Sequence, residues 1–200
     1  MGENYGPVMI SREPKTREDL AGVPIAVPGD WTSATLATKL WYPEAKTVSV
    51  DFDQIMERVG SGEFEAGVII HEGQVTYQDQ GYYPVVDLGK WWADTQDGLP
   101  LPLGGNAIRR DLGEEHIHEI SRILRESIAY ALDHREEALQ YAEKYNRGLT
   151  RELTDKFVGM YVNQRTLDYK DDGREAVRRF LDMGEKAGAV PAVADPEFIR

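Results

Sequence analysis

Two hundred residues, 41% hydrophobic and 29% charged, suffice for one large domain or two small lobes with a real core, and do not indicate a disordered chain. A formal charge of −12 without any Lys/Arg-rich run argues against a nucleic-acid or anionic-membrane surface, because phosphate binding needs clustered basic side chains. No cysteine is present, which excludes disulfides and thiolate chemistry. The start lacks the basic and apolar regions of a signal peptide, and no apolar run is long enough to span a bilayer, so a cytoplasmic protein is expected.

In chain order, Val8 to Ser11 reads as a short strand after Gly6-Pro7, and Pro14 to Gly22 as a turn with one helical turn closed by glycine. Val23 to Val27 is a second buried strand, with Pro24 near its start. Pro28-Gly29-Asp30-Trp31-Thr32-Ser33 breaks that strand, and Ala34 to Trp41 follows as a helix capped by Thr32 or Ser33. Val48 to Val50 is a third strand. Asp51 to Val59 is a helix carrying Phe52, Ile55, Met56 and Val59 on one face, ended by Gly60-Ser61-Gly62. Gly67 to Ile70 then reads as a strand buried on both faces, and His71, Glu72, Gly73, Gln74 and Thr76 follow it. The strand–helix alternation from Gly22 to Ile70 predicts a mostly parallel sheet.

Tyr82 to Trp92 reads as a strand running into an aromatic pair, and Gly98 to Ile108 as an extended crossover between lobes. From Gly113 onward the pattern is helical. Ile117, Ile120, Leu124, Ile128 and Ala131 define the first helix, and a second runs from about Arg135 to Tyr145, stopping near Asn146-Arg147-Gly148. A third begins after Thr150 with Leu153, Phe157, Met160 and Tyr161. A fourth opens at a capping box, Asp172-Gly173-Arg174-Glu175, and stops at Gly188. These helices have almost no strands of their own to cover.

In an open α/β sheet ligands bind at the carboxyl ends of the strands, and His71 stands at such an end. Histidine exchanges a proton near neutral pH, so His71 is either an acid/base group or a strand-ending residue bonded to neighbouring backbone. Thr32 and Ser33 carry a similar pair of readings, because the N–H groups at a helix start both need a cap and can hold an anion. Trp91 and Trp92 fit packing at a lobe seam. His116 and His118 lie two apart and cannot chelate from one helix face, and His134 sits among charged residues, so no metal site is expected. Arg109 and Arg110 read as an exposed pair rather than a carboxylate clamp.

Several stretches together resemble the 1,4-dihydroxy-6-naphthoate synthases of the futalosine route to menaquinone. They are Gly67 to Tyr77, Val86-Asp87-Leu88-Gly89-Lys90-Trp91-Trp92, Gly98-Leu99-Pro100-Leu101-Pro102-Leu103-Gly104, Val27-Pro28-Gly29 with Thr32-Ser33-Ala34, Tyr161-Val162-Asn163 and Asp168-Tyr169. The resemblance covers nearly the whole chain. It implies an α/β, two-lobed fold like the type II periplasmic binding proteins, with the ligand between the lobes. It also implies a lyase acting on cyclic dehypoxanthine futalosine, a small anionic aromatic substrate, without a cofactor. His71 matches the family's proposed general base, and Thr32 and Ser33 its substrate-contacting hydroxyls.

The implied division puts residues 14–104 in a complete α/β lobe, with residues 1–13 and 105–200 as the mostly helical remainder of the other. Members of that family begin with a further strand-and-helix segment before the equivalent of Tyr5-Gly6-Pro7, and its absence here matches the helices that lack a sheet. A non-catalytic solute-binding or sensory module on the same fold is the rival reading, since fold alone does not separate the two.

Overall fold

The computed structural model describes residues 1–145, 148–192 and 195–199. Its centre is a five-stranded sheet of β1 (Val8–Ser11), β2 (Pro24–Val27), β3 (Lys46–Ser49), β4 (Ala66–Ile69) and β5 (Tyr83–Asp87), in the order β3-β2-β4-β1-β5. β2 pairs in parallel with β3 and β4, while β1 runs antiparallel to both of its neighbours. The sheet is thus mostly parallel, as the alternation predicted. It also contains Val8–Ser11, which the implied division assigns to the other lobe.

Both faces of the sheet are covered, which is why its central strands are apolar throughout instead of alternating. Met9, Ile25, Val27 and Val68 face α1 (Ser33–Trp41) and α3 (Leu88–Thr95), with Phe180 of a later helix in the same cluster. Val8, Ile10, Ala26 and Ile69 face Ile55, Met56 and Val59 of α2 (Ile55–Ser61). A Cβ on Gly67 would lie 2.5 Å from the Ile55 Cγ2, so the absence of a side chain there lets α2 sit directly on β4. Gly62 ends α2 at φ +85°, in the left-handed region that glycine enters without strain.

The second half consists of α4 (Glu114–Asp133), α5 (Arg135–Ala142), α6 (Arg151–Tyr161), α7 (Gln164–Leu167) and α8 (Lys170–Lys186). No residue of α4 is buried, and Ile120, Ile123, Leu124 and Tyr130 stand exposed on it. α8 is tied to the sheet through Phe180, which meets Trp92 edge-on at 5.2 Å. Trp92 is fully buried, so the aromatic pair serves packing.

The elements depart from the sequence expectations in four places. β3 begins two residues earlier than Val48. Phe52 falls outside α2 and is exposed. Leu88 to Thr95 is a helix, started by the Asp87 carboxylate, which accepts from Gly89 N at 2.9 Å and Lys90 N at 3.1 Å. The expected capping box at Asp172 lies inside α8, because Arg165 holds that carboxylate at 2.5 and 2.7 Å. A capping box does occur, at Asn163 and Thr166 ahead of α7. The predicted stop at Asn146-Arg147 lies outside the described residues.

Candidate active site

β2 and β4 are adjacent and parallel, so the residues that follow them leave the same edge of the sheet. Thr32 and Ser33 follow β2, and His71 follows β4. β5 also ends there, at Asp87. Antiparallel β1 starts there, with Leu88 N donating to Pro7 O at 3.0 Å.

His71 caps a short 3₁₀ turn, Glu72–Val75. Its Nδ1 accepts from Gly73 N at 2.8 Å, and its carbonyl accepts from Gln74 N at 2.9 Å. A Cβ on Gly73 would lie 2.6 Å from the His71 Cε1, so the imidazole rests against the turn it caps. Since Nδ1 is the accepting nitrogen, the proton of the neutral ring sits on Nε2, which is shielded from solvent. The Phe52 ring lies beside His71, with centroids 6.1 Å apart.

A hydroxyl from α6 reaches this turn. Tyr161 Oη donates to Gln74 Oε1 at 2.6 Å, and Ile70 O lies 3.2 Å from the same hydroxyl. Gln74 is buried, and its amide Nε2 donates to Gly6 O at 2.6 Å. Burial is the main cause that pushes the Tyr161 phenol up to about 12, with the nearby Tyr5 adding to it, so Tyr161 stays a donor at physiological pH. Tyr5 donates to the carbonyls of Met1 and Met160 and accepts from Asn163 Nδ2 at 3.4 Å. Burial also raises its phenol.

At the end of β5, burial raises the Asp87 carboxyl above the usual carboxylate range even though backbone N–H groups of Lys90 and Gly89 bond to it. Tyr77 is raised too, first by burial and then by the Asp87 charge.

Thr32 is the N-cap of α1. Its Oγ1 accepts from Thr35 N at 3.2 Å and donates to Gly29 O at 2.9 Å. Ser33 Oγ donates to Leu103 O at 2.5 Å, which ties the helix start to the extended 98–108 segment. Both hydroxyls therefore have structural partners. The first N–H groups of α1, on Ser33 and Ala34, have no intrahelical acceptor by the geometry of a helix start.

The remaining candidates lie elsewhere. A cavity of about 280 Å³ is lined by Gln54, Glu57, Arg58, Ser61 and Glu63, and one of about 460 Å³ lies between α8 and the tail at Asp195 to Phe198. Neither is lined by His71, Thr32 or Ser33. Arg109 and Arg110 are exposed and pair with Asp111 and Glu197. His134 stacks on Tyr130 at 3.9 Å. Among the described residues no group of three or more His, Asp or Glu could hold a metal ion, and no helix is long and apolar enough to cross a membrane.

Residues 1–186 match the family model described as menaquinone biosynthesis. This chain belongs to that family. Over 199 residues it is 40% identical to the 1,4-dihydroxy-6-naphthoate synthase of Thermus thermophilus, covering 100% of this chain and 72% of the relative. The synthase of the same name from Streptomyces coelicolor is 33% identical over 199 residues, covering 96% and 70%. A crystal structure of an Archaeoglobus fulgidus protein superposes with a TM-score of 0.89 at 43% identity, covering 94% of this chain and 70% of that one. A periplasmic sulfonate-binding protein of Methylobacillus flagellatus superposes with a TM-score of 0.62 at 16% identity, covering 94% and 60%, a likeness of fold alone.

The menaquinone-biosynthesis family member is therefore an enzyme, of the lyase class, with an α/β fold like that of the periplasmic binding proteins. Sequence reasoning gave no role to Gln74, Tyr161 or Asp87 at this edge. Asp87 carried a usable signal, since Asp directly before Leu88-Gly89-Lys90 is a helix-start residue. Gln74 and Tyr161 carried none, because their partners lie 68 and 87 residues away.

Proposed function

We propose that this chain converts cyclic dehypoxanthine futalosine to 1,4-dihydroxy-6-naphthoate, with His71 as general base and the α1 start at Thr32 and Ser33 holding the substrate carboxylate. The reading is supported by the two synthases to which the chain is similar. One observation carries it: the histidine turn after β4 and the helix start after β2 leave the same edge of adjacent parallel strands. A base and a pair of N–H donors then leave one edge of the sheet, the edge at which α/β sheets bind ligands.

His71 takes a proton from the carbon beside the substrate carbonyl. The electron pair left on that carbon forms a ring double bond as a carbon–carbon bond to the rest of the substrate breaks. The detached fragment leaves with that bond's electron pair and takes up a proton, and formation of the aromatic ring makes the step favourable. General-base assistance of this kind is worth typically ~10²–10⁴ in rate. In the resting arrangement the ring's lone pair lies on Nδ1 against Gly73 N–H, so proton uptake there displaces that amide. The chemistry moves a proton and breaks a bond without redox change, and the proposal includes no cofactor or metal. The setting we propose is the cytoplasm.

The test is to incubate the chain with the cyclic substrate and follow naphthoate by absorbance. Turnover that depends on His71 supports the reading. Binding without turnover would instead support a solute-binding module.

A further inference from the structure

The His71 turn is held from outside by a helix of the other half of the molecule. Ile70 and Gln74, the residues flanking His71 to Gly73, both direct an oxygen at the one hydroxyl of Tyr161. The other end of the Gln74 amide is anchored on Gly6 O, just before β1. Three chain segments therefore meet around the turn: the lead into β1, the end of β4 and the last residue of α6. Between the two anchor points, Gly73 N–H is fixed on His71 Nδ1.

We propose that Tyr161, acting through Gln74, is a positioning residue for His71: it holds the 70–74 turn so that Gly73 N–H occupies Nδ1 and the neutral ring carries its proton on Nε2. Tyr161 does not touch the reacting atoms. It sets which imidazole nitrogen is protonated and where the ring points before substrate arrives. Because the hydroxyl comes from α6, the orientation of His71 depends on the seating of that helix.

The assignment of a catalytic consequence rests on His71 being the base, but the tautomer does not, and that separates the two tests. The variants are Tyr161→Phe, which removes only the hydroxyl, and Gln74→Met, which keeps the length of the side chain and removes both amide contacts. The nitrogen signals of His71 are read by two-dimensional ¹H–¹⁵N NMR, assigned by their loss in His71→Ala. The native chain is expected to show the Nε2–H pattern, and both variants a mixture with Nδ1–H. In the synthase assay kcat is expected to fall about tenfold or more in both variants, with KM changed by about twofold or less, because a ring that carries its proton on Nδ1 has no lone pair there to take the substrate proton once Gly73 N–H is displaced.

A purely structural role would lower thermal stability and leave the His71 nitrogen pattern native. That pattern in both folded variants overturns the proposal, as does an Nδ1–H pattern in the native chain. If instead His71→Ala keeps full activity while the variants still shift the nitrogen pattern, the positioning stands and the general-base reading falls.

Discussion

Gly89 lies against the Tyr5 carbonyl so closely that a Cβ on Gly89 would sit 2.0 Å from both the carbon and the oxygen. The chain entering β1 crosses the first turn of α3 there, backbone on backbone. Gly6 matches it from the other side, since its own Cβ would meet Gly89 N at 2.7 Å. Neither obstacle is the end of a flexible side chain, so neither can move aside cheaply.

Gly89→Ala should therefore destabilise the protein at the upper end of the ~1–3 kcal/mol typical of overpacking. Gly104→Ala is the control, because nothing lies within 4 Å of a Cβ there and its φ is not positive. It should stay within about 0.5 kcal/mol of the parent. Urea denaturation of both variants checks this, and equal midpoints would refute the crossing as a constraint.

His71→Ala should reduce kcat by ~10²–10⁴. Stability should fall by no more than about 1.5 kcal/mol, the worth of one capping hydrogen bond to Gly73. Single-turnover kinetics paired with a thermal melt separates the two effects. Near-native kcat would remove the residue from the mechanism.

Replacing Thr32 by Ala removes the acceptor for Thr35 N and one donor to Gly29 O, and should cost about 1–2 kcal/mol. Ser33→Ala frees Leu103 O and should cost about 1 kcal/mol. Calorimetric binding of the naphthoate product distinguishes the two readings of these hydroxyls. Weaker binding in either variant supports the anion hold, whereas unchanged affinity with lowered stability leaves them as cap and tie.

Much of the scaffold was legible because local rules and the tertiary fold agree in it. β1 came out with its observed ends, since a short apolar run after Gly6-Pro7 has little alternative. α4 followed from its 3.6-residue pattern, and Thr32 was readable as a cap from its type and place. α3 was hidden because Trp91 and Trp92 favour strands on a propensity scale, while burial of Trp92 against Phe180 decides the matter in the folded chain. Asp172 misled for a similar reason: its local pattern is that of a cap, but Arg165 claims the carboxylate. His71 and the helix start could be found as the groups that bear chemistry. What holds them could not, because the contacts of Gln74 and Tyr161 exist only after the chain has folded.

The Tyr161 phenol gives a prediction at high pH. Folding raises it from 10.0 to about 12, so the folded state favours the protonated form. Its stabilising contribution is complete below pH 10, the unfolded value, and is lost as pH climbs through 12. The loss should amount to about 2–3 kcal/mol at about 1.36 kcal/mol per unit. Denaturant titrations at several alkaline pH values should show a shallower decline in Tyr161→Phe than in the parent. Parallel declines would mean that the hydroxyl is not held as described.

The antiparallel strand β1, inserted between β4 and β5, has a consequence for how the protein is made. Val8 faces Ile69 on one side and Asp87 on the other, so β1 has its final slot walled by two strands that emerge much later in the chain. β2, β3 and β4 can assemble through short crossovers while β1 waits, and its closure has the high contact order that slows folding. Pulse-labelled hydrogen exchange during refolding should show the amides of Met9 and Ile10 gaining protection no earlier than those of β5. Protection of β1 ahead of β5 would contradict that order. In that order, the step that completes the sheet also brings Gly6 O up to the Gln74 amide, so the histidine turn gains this anchor late in folding.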